Sequence, residues 1–180
     1  MRRTAAALIL IASLLSNPFP NPAFADQFDD ACYAYQQGDY ATAYRLFKVL
    51  ADQNMPAAET YLGVMYEKGQ GVPRDSGEAV KWYRKAAEQG FDQAQYNLGV
   101  MYDSGDSVKQ DDEEAVKWYR KAAEQGHDLA MHSLGVAYLI GEGVPQNYVM
   151  AYLWFSLVRS DLFPPEMRKA LENEKRMTAS

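Results

Sequence analysis

The side chains best suited to covalent chemistry in this sequence are two histidines and one cysteine, and their spacing does not build a catalytic set. His127 and His132 lie five residues apart, whereas paired metal-binding histidines on one helix face are four apart. Cys32 is the only cysteine, so no cysteine pair is present to hold zinc. An H-E-x-x-H helix, a G-x-S-x-G turn and a phosphate-binding glycine loop are also missing. We therefore predict that the protein is not an enzyme and uses no metal or cofactor.

Noncovalent recognition is the chemistry that remains, and it is suggested by aromatic and amide side chains that recur along the chain. The string EAVKWYRKAAEQG occurs at residues 78–90 and again at residues 114–126, which is 36 residues later. Similarity at a fixed period of this length indicates a stacked array of small units, not one globular core. Such arrays present extended binding surfaces.

Three units carry the same residue types at the same places when the chain is laid out on this period. The aligned positions are Ala58, Ala94 and Ala130; Leu62, Leu98 and Leu134; Gly63, Gly99 and Gly135; Tyr66, Tyr102 and Tyr138; Gly69, Gly105 and Gly141; Ala79, Ala115 and Ala151; Trp82, Trp118 and Trp154; and Tyr83, Tyr119 and Phe155. Both halves of each unit space their apolar residues as one face of a helix does. Each unit is therefore predicted to be a pair of helices.

The boundaries of the helices are also indicated by the sequence. Pro73 cannot continue a helix, and Asp75 is placed to cap the second helix, with Glu78 three residues on. Gly90 and Gly126 are expected just after the second helices end.

Glycines recur in the middle of each first helix, at Gly63, Gly99 and Gly135. A glycine there costs about 1 kcal/mol relative to alanine, so its recurrence at one phase predicts a close approach between helices. We expect the tryptophan and tyrosine of the second helix to be the large side chains opposite.

The pattern A-x-x-x-L-G-x-x-Y-x-x-G-x-G-V-x-x-D-x-x-x-A-x-x-W-Y-x-x-A-A-x-x-G, at residues 58–90, closely resembles the Sel1-like repeat, a relative of the tetratricopeptide repeat. The resemblance covers residues 55 to about 160. It implies an all-α fold, a right-handed superhelix (solenoid) of antiparallel helix pairs. It also implies that the protein is an interaction scaffold.

The repeats divide the chain into units. Residues 26–54 are predicted to form a tetratricopeptide-like partial repeat, followed by three full repeats at about 55–90, 91–126 and 127–162 and a C-terminal capping helix at 163–180. Unit two departs from the pattern at Ser107 and Lys109, where the other units have glycine and proline. Unit three departs from it at Val158, Arg159 and Leu162, so the array is expected to end there.

The first 25 residues have the features of a secretory signal. Two arginines precede an apolar run at residues 5–15, and an A-x-A cleavage site ends at Ala25. We predict cleavage after Ala25 and a periplasmic or secreted protein without stable membrane insertion; a retained membrane anchor is the alternative. Cys32 is expected to be a small buried residue of the first mature helix, with an intermolecular disulfide as the alternative.

The charge of the mature chain argues against nucleic acid as a partner. Residues 26–180 hold all 24 acidic residues and 16 of the 18 basic ones, which gives a net charge of −8 with histidine neutral. Nucleic-acid binding depends on lysine and arginine to neutralise phosphates. We therefore expect a protein or peptide partner.

Candidate contact residues follow from analogy with the tetratricopeptide groove, whose concave wall is lined by the first helix of each unit. The positions not used for packing are Thr60, Tyr61 and Glu67 in unit one, Gln93, Tyr96, Asn97 and Asp103 in unit two, and His132 and Ser133 in unit three. Tyrosine offers a rigid apolar face with a polar tip, and asparagine can bond both peptide N–H and C=O groups. Each could instead be an ordinary solvated helix residue.

The sequence thus favours a binding scaffold of the cell envelope that holds a partner on its concave face. A structural subunit that contacts other proteins through its convex face or its caps is the alternative. A cell-wall hydrolase is a remote third reading, because no nucleophile and base can be assembled.

Overall fold

The computed structural model describes residues 22–105 and 108–158, with side chains described from residue 26 onward. Over these ranges the chain is all-α, and its helices are α1 (Pro22–Gln36), α2 (Tyr40–Ala51), α3 (Pro56–Lys68), α4 (Ser76–Glu88), α5 (Asp92–Ser104), α6 (Asp112–Glu124), α7 (Asp128–Ile140) and α8 (Tyr148–Leu157). Residues 1–21 of the predicted signal, Ser107, Arg159, Leu162 and the predicted cap at 163–180 lie outside the described residues. None of these eight helices is both long and apolar enough to cross a membrane.

The helices are arranged as successive hairpins. The partners within the pairs are α1 and α2, α3 and α4, α5 and α6, and α7 and α8, and each pair packs on the next through α2 with α3, α4 with α5, and α6 with α7. The helix α3 also contacts α5 directly. This is the solenoid of helix pairs that the repeat predicts, and its stability is close to a sum of unit and nearest-neighbour terms.

The second helix of each pair begins with the same kind of cap. The side chains of Asp39, Asp75, Asp111 and Asn147 each accept a hydrogen bond from the backbone N–H three residues further on. Each cap satisfies one of the N–H groups that a helix start leaves unpaired. The cap predicted at Asp75 is confirmed, and the same cap recurs 36 residues away on either side.

The first helices of the three full units end at glycines in the left-handed region, with φ of 68° at Gly69, 70° at Gly105 and 81° at Gly141. Gly90 and Gly126 follow α4 and α6 with φ of 90° and 93°, as predicted. Side chains other than glycine rarely adopt this conformation.

The mid-helix glycines allow the helices of a pair to touch. A Cβ placed on Gly63 would lie 2.5 Å from Cδ1 of Tyr83, so no larger residue fits there. The same contact recurs at 2.7 Å between Gly99 and Tyr119, and at 2.6 Å between Gly135 and Phe155. The predicted close approach is therefore confirmed.

The tryptophans do not lie where the sequence predicted them. Trp82 packs against the core of the preceding unit, with the Nζ atoms of Lys48 and Lys85 lying 5.4 and 5.6 Å from the ring centroid. Trp118 is buried between units one and two, and Lys121 lies over its ring at 3.9 Å. Consecutive helix residues point about 100° apart, so tryptophan joins neighbouring units while the next aromatic residue covers the glycine.

An ion pair between a buried acid and a half-exposed lysine joins the two helices of unit one. Glu59 is fully buried in α3, and its carboxylate lies 2.9 Å from Nζ of Lys85 and accepts a 2.6 Å hydrogen bond from Gln89. Unit two replaces this arrangement with an uncharged one, in which Gln125 donates to Gln95 at 2.8 Å.

Cys32 is less buried than predicted. It is a free thiol on α1 with intermediate exposure, beside Tyr61, and it packs on the edge of the first core cluster. Burial, the largest influence on it, raises the pKa of the thiol.

Candidate partner-binding site

Two cavities lie along α3, α5 and α7, the helices that carry the nine predicted contact residues. We call the surface formed by these nine residues the first-helix wall. The larger cavity, about 670 Å³, is bounded by α1, α3, α4 and α5. The smaller cavity, about 240 Å³, is bounded by α5, α6 and α7 and by the loop after α7. The helix α5 is common to both.

The structure brings the predicted residues to these two cavities. Those that line the larger one are Thr60, Tyr61, Glu67, Gln93 and Asn97. Those that line the smaller one are Asp103, His132 and Ser133. The ninth, Tyr96, lies with its ring centroid 5.8 Å from that of Tyr119 in the wall of the smaller cavity. The wall is thus built from three successive units.

A triad of an acid, a tyrosine and a polar side chain lies in the larger cavity. The hydroxyl of Tyr83 donates to Oε2 of Glu67 at 2.6 Å, and the side chain of Asn97, from the next unit, lies beside this hydroxyl. Burial first, and then the bond to Glu67, raises the pKa of Tyr83 far above its usual value. The hydroxyl therefore stays protonated and holds the Glu67 carboxylate in place. The carboxylate keeps further lone pairs that can accept hydrogen bonds from a ligand.

The smaller cavity contains the same triad one unit further along. The hydroxyl of Tyr119 donates to Oδ2 of Asp103 at 3.0 Å, and Ser133 takes the position of Asn97. Burial and the Asp103 charge raise the pKa of Tyr119. The two cavities therefore share one acid–tyrosine–polar arrangement, repeated after 36 residues.

Unit three lacks both members of the acid–tyrosine pair. Leu139 stands where the acid would be, and Phe155 stands where the tyrosine would be. The carboxylate and the hydroxyl are thus present together in two units and replaced together in the third. This pattern indicates that they act as a pair.

Two of the predicted residues are already engaged within the protein. Thr60 is 5% exposed, and its hydroxyl donates to the carbonyl oxygen of Pro56 at 2.8 Å. The ring of Tyr61 stacks on Phe47 with centroids 4.5 Å apart and meets Phe28 edge-on at 5.9 Å. Both side chains line the larger cavity mainly as rigid surface.

A polar and aromatic cluster lies at the junction of units two and three. His127 stacks on Tyr96 with ring centroids 4.8 Å apart, and its Nε2 lies 3.3 Å from Oε1 of Gln93. Gln93 in turn donates to Asn97 at 3.0 Å. The Nδ1 atom of His127 accepts from the backbone N–H of Ala130 and caps α7.

Several residues that line the cavities are not among the nine predicted contact residues. Phe28 reaches the larger cavity from α1, and Phe91 reaches it from the residue before α5. Asp112 and Glu142 line the smaller cavity from the start of α6 and the loop after α7. Only Phe91 could have been found from the sequence, through the repeat. It aligns with Met55 and His127, which also stand just before first helices.

The smaller cavity is strongly acidic. Asp103, Asp112 and Glu142 line it, and no lysine or arginine is found among its described lining residues. The larger cavity has one acid, Glu67, and one base, Lys68, beside four aromatic rings. Across residues 22–105 and 108–158, no group of three or more histidine, cysteine or acidic side chains could hold a metal ion.

The fold defines a class of protein, the helical-repeat solenoid. The family model of the Sel1 repeat matches residues 27–55, 56–91, 92–127 and 128–157. The chain belongs to the Sel1 repeat family, whose members are typically protein-interaction scaffolds. The model counts the N-terminal helix pair as a repeat of its own, beside the three that the 36-residue period aligns.

Solved structures with the same fold include two proteins of clear sequence similarity. A protective antigen present in uropathogenic Escherichia coli strains, displaying an SLR fold, is 47% identical with a TM-score of 0.71; the match covers 74% of this chain and 30% of that one. A Sel1 repeat protein from Oxalobacter formigenes is 39% identical with a TM-score of 0.70, covering 72% and 54%. The chain thus spans well under two thirds of either relative.

A more distant structure shares the fold alone. Cysteine-rich protein B of Helicobacter pylori is 23% identical with a TM-score of 0.50, and the match covers 71% of this chain and 85% of that one. No curated protein matches the chain.

Proposed function

We propose that the chain is a non-enzymatic scaffold or adaptor of the cell envelope that binds a protein or peptide partner through the first-helix wall. The observation that carries this proposal is that eight of the nine wall residues, from three successive units, line two cavities that share α5, while the ninth, Tyr96, packs against Tyr119 of the smaller one. Cavities lined by aromatic surface with a few placed polar groups are the usual form of a binding site.

The wall is suited to binding because its side chains are already held. Glu67 and Asp103 are fixed by tyrosines, and Tyr96 is fixed by stacking on His127. Side chains ordered before the partner arrives lose less conformational freedom on binding, which favours affinity.

The proposed location is the periplasm or the extracellular space. It rests on the signal features of residues 1–25, with cleavage after Ala25. The net charge of the remaining chain is −8 with histidine neutral. That charge disfavours nucleic acid and anionic membrane surfaces as partners.

A structural subunit of an envelope assembly is the second candidate, and one observation favours it. The helix α8 exposes Tyr148, Val149, Leu153 and Leu157, each by more than 45%. Exposed apolar side chains grouped on one helix are typical of an interaction surface. Residues 163–180, which we propose as a C-terminal cap, follow this helix.

The two candidates are separated by comparing variants of each surface. A partner identified by crosslinking in the native compartment is measured against Gln93→Ala/Asn97→Ala, against Leu153→Ser/Leu157→Ser, and against Gln53→Ala as an exposed control outside both surfaces. We expect the first variant to lose affinity by about tenfold or more while the other two bind as the native chain does. Loss only in the α8 variant would favour the structural subunit and overturn the wall proposal.

A further inference from the structure

We infer that the occupant of the first-helix wall is an extended peptide segment with two anchors. A lysine or arginine side chain enters the smaller cavity, and a bulky apolar side chain enters the larger one. This inference rests on the proposed function and specifies the chemistry of its partner.

The smaller cavity selects a cation. Three carboxylates line its 240 Å³, those of Asp103, Asp112 and Glu142, and the described lining contains no lysine or arginine to neutralise them. Carboxylates gathered in a partly enclosed space repel one another, and a cation in that space relieves the repulsion. A lysine or arginine head group matches both the charge and the hydrogen-bond acceptors there.

Asp103 is the carboxylate best placed to meet this cation. The hydroxyl of Tyr119, which is itself buried, holds one of its oxygens, and two or more acceptor sites remain for a ligand. Asp112, in contrast, accepts a hydrogen bond from Gln110 at the rim. A carboxylate already fixed in position loses little conformational freedom when it forms a charge-assisted hydrogen bond.

The larger cavity selects an apolar side chain. Phe28, Tyr61, Tyr83 and Phe91 line it together with Ala57 and Val64, while Glu67 and Lys68 carry opposite charges. The charges of this cavity cancel, so it does not favour a charged side chain. Its four rings offer a large apolar contact area instead. Gln93 and Asn97 at its edge can hydrogen-bond the backbone of an extended segment.

The spacing of the two anchors follows from the repeat. The two cavities contain the same triad in successive units, so their separation is about one helix-packing distance, roughly 8–10 Å. An extended chain advances about 3.3 Å per residue. The basic and the apolar anchor are therefore expected two or three positions apart in the peptide.

The direct test is selection of a random peptide library, displayed on phage, against the immobilised full chain. We expect the enriched peptides to combine a lysine or arginine with a phenylalanine, tryptophan, tyrosine or leucine two or three positions away. Enrichment of acidic or uncharged peptides, or of basic peptides with no fixed spacing to an apolar residue, would overturn the inference.

Matched variants then assign the cation to its cavity. A synthetic peptide from the selection is measured against Asp103→Asn, which keeps an acceptor for Tyr119, and against Glu124→Gln, which removes one exposed charge from the far end of α6. Loss of one charge-assisted bond should weaken Kd by about tenfold or more in the first variant only. The difference in Kd between Asp103→Asn and the native chain should become smaller at high salt.

Equal binding by both variants overturns the assignment of the cation to this cavity. If no peptide is enriched at all, the two-anchor occupant is wrong, whereas a folded protein partner remains for the proposed function. That function fails separately, if substitutions in the wall leave the affinity of the native partner unchanged.

Discussion

The ring of Tyr119 lies directly on Gly99, so that a Cβ on Gly99 would be 2.7 Å from Cδ1 and Cε1 of the ring. The hydroxyl of the same tyrosine donates to Asp103, which follows Gly99 by one helical turn on α5. The glycine that permits close packing and the acid that lines the cavity are therefore linked through one side chain. Packing and binding surface depend on each other in each unit that has this pair.

Replacing Gly99 tests the packing part of this link. Alanine is the better helix former by about 1 kcal/mol, but its methyl group would overlap the buried ring, and overpacking costs about 1–3 kcal/mol. We expect Gly99→Ala to lower the free energy of unfolding, measured by urea denaturation. The control is Gly77→Ala in α4, where the nearest atom, Asp75 Oδ1, lies 3.3 Å away; stability there should be kept or increased. Equal effects at the two sites would contradict the packing account.

The acid–tyrosine pair can be tested by removing it in one unit and building it in another. Tyr119→Phe removes the hydroxyl and should cost about 1 kcal/mol. In unit three, Phe155→Tyr and Leu139→Asp should each destabilise when made alone, because each places a polar group in a packed site. Made together they should recover about 0.5–1 kcal/mol as coupling free energy in a double-mutant cycle. A coupling of zero would argue that the two residues do not act as a pair.

His127 should make stability depend on pH. Burial is the main cause that lowers the pKa of its ring below the ordinary 6.5, against the raising influence of Asp92 and Asp128. Well above pH 6.5 the ring is mostly neutral in both the folded and the unfolded chain, and the cap to Ala130 is intact. As the pH falls below 6.5, the unfolded chain binds the proton first, so stability falls until the folded ring is protonated as well.

The measurement is urea unfolding between pH 5 and pH 8 for the native chain and for His127→Asn, since asparagine is a good helix cap. Subtracting one free energy of unfolding from the other removes the contribution of the carboxylates, which both chains share. This difference should be constant well above pH 6.5 and should change as the pH falls below it. Parallel curves over the whole range would rule out His127 as the cause.

The ion pair of Glu59 and Lys85 in unit one offers a comparison between repeats. Lys85 neutralises the fully buried Glu59, so Lys85→Ala leaves a buried charge without its cation and should cost about 2–3 kcal/mol. Lys121 occupies the same position in unit two, where Gln95 is uncharged. Lys121→Ala should therefore cost only about 0.5–1 kcal/mol, from the contact with Trp118. Thermal unfolding of the two variants gives the comparison, and equal losses would contradict the assigned role of Lys85.

The local features of the fold could be predicted because the same residue types recur at the same positions of each repeat. Asp75 caps a helix, Gly69 ends one and Gly63 admits an aromatic ring, and each depends on residues within about 20 positions. The wall residues stay a prediction as a binding surface, but their phase on the first helix repeats from unit to unit, and eight of the nine line the two cavities. The period of 36 residues carried this information.

The contacts between units could not be predicted in the same way. Phe28 reaches the larger cavity from α1, and Glu142 reaches the smaller one from a loop in the next unit. Neither contact leaves a periodic signal in the sequence. The prediction for Trp82 was wrong for a related reason. Trp82 directly precedes Tyr83 on α4, but one step along a helix turns a side chain by about 100°, and Trp82 therefore packs toward the preceding unit.

Photo-crosslinking in the native compartment tests most directly whether the first-helix wall is the binding surface. Benzoylphenylalanine is placed at Gln93 on the wall, at Glu124 on the exposed side of α6, or at Leu153 on α8; all three native side chains are exposed. We expect one discrete partner adduct from Gln93 and none from Glu124 or Leu153. Adducts from Leu153 or Glu124 with none from Gln93 would contradict this expectation.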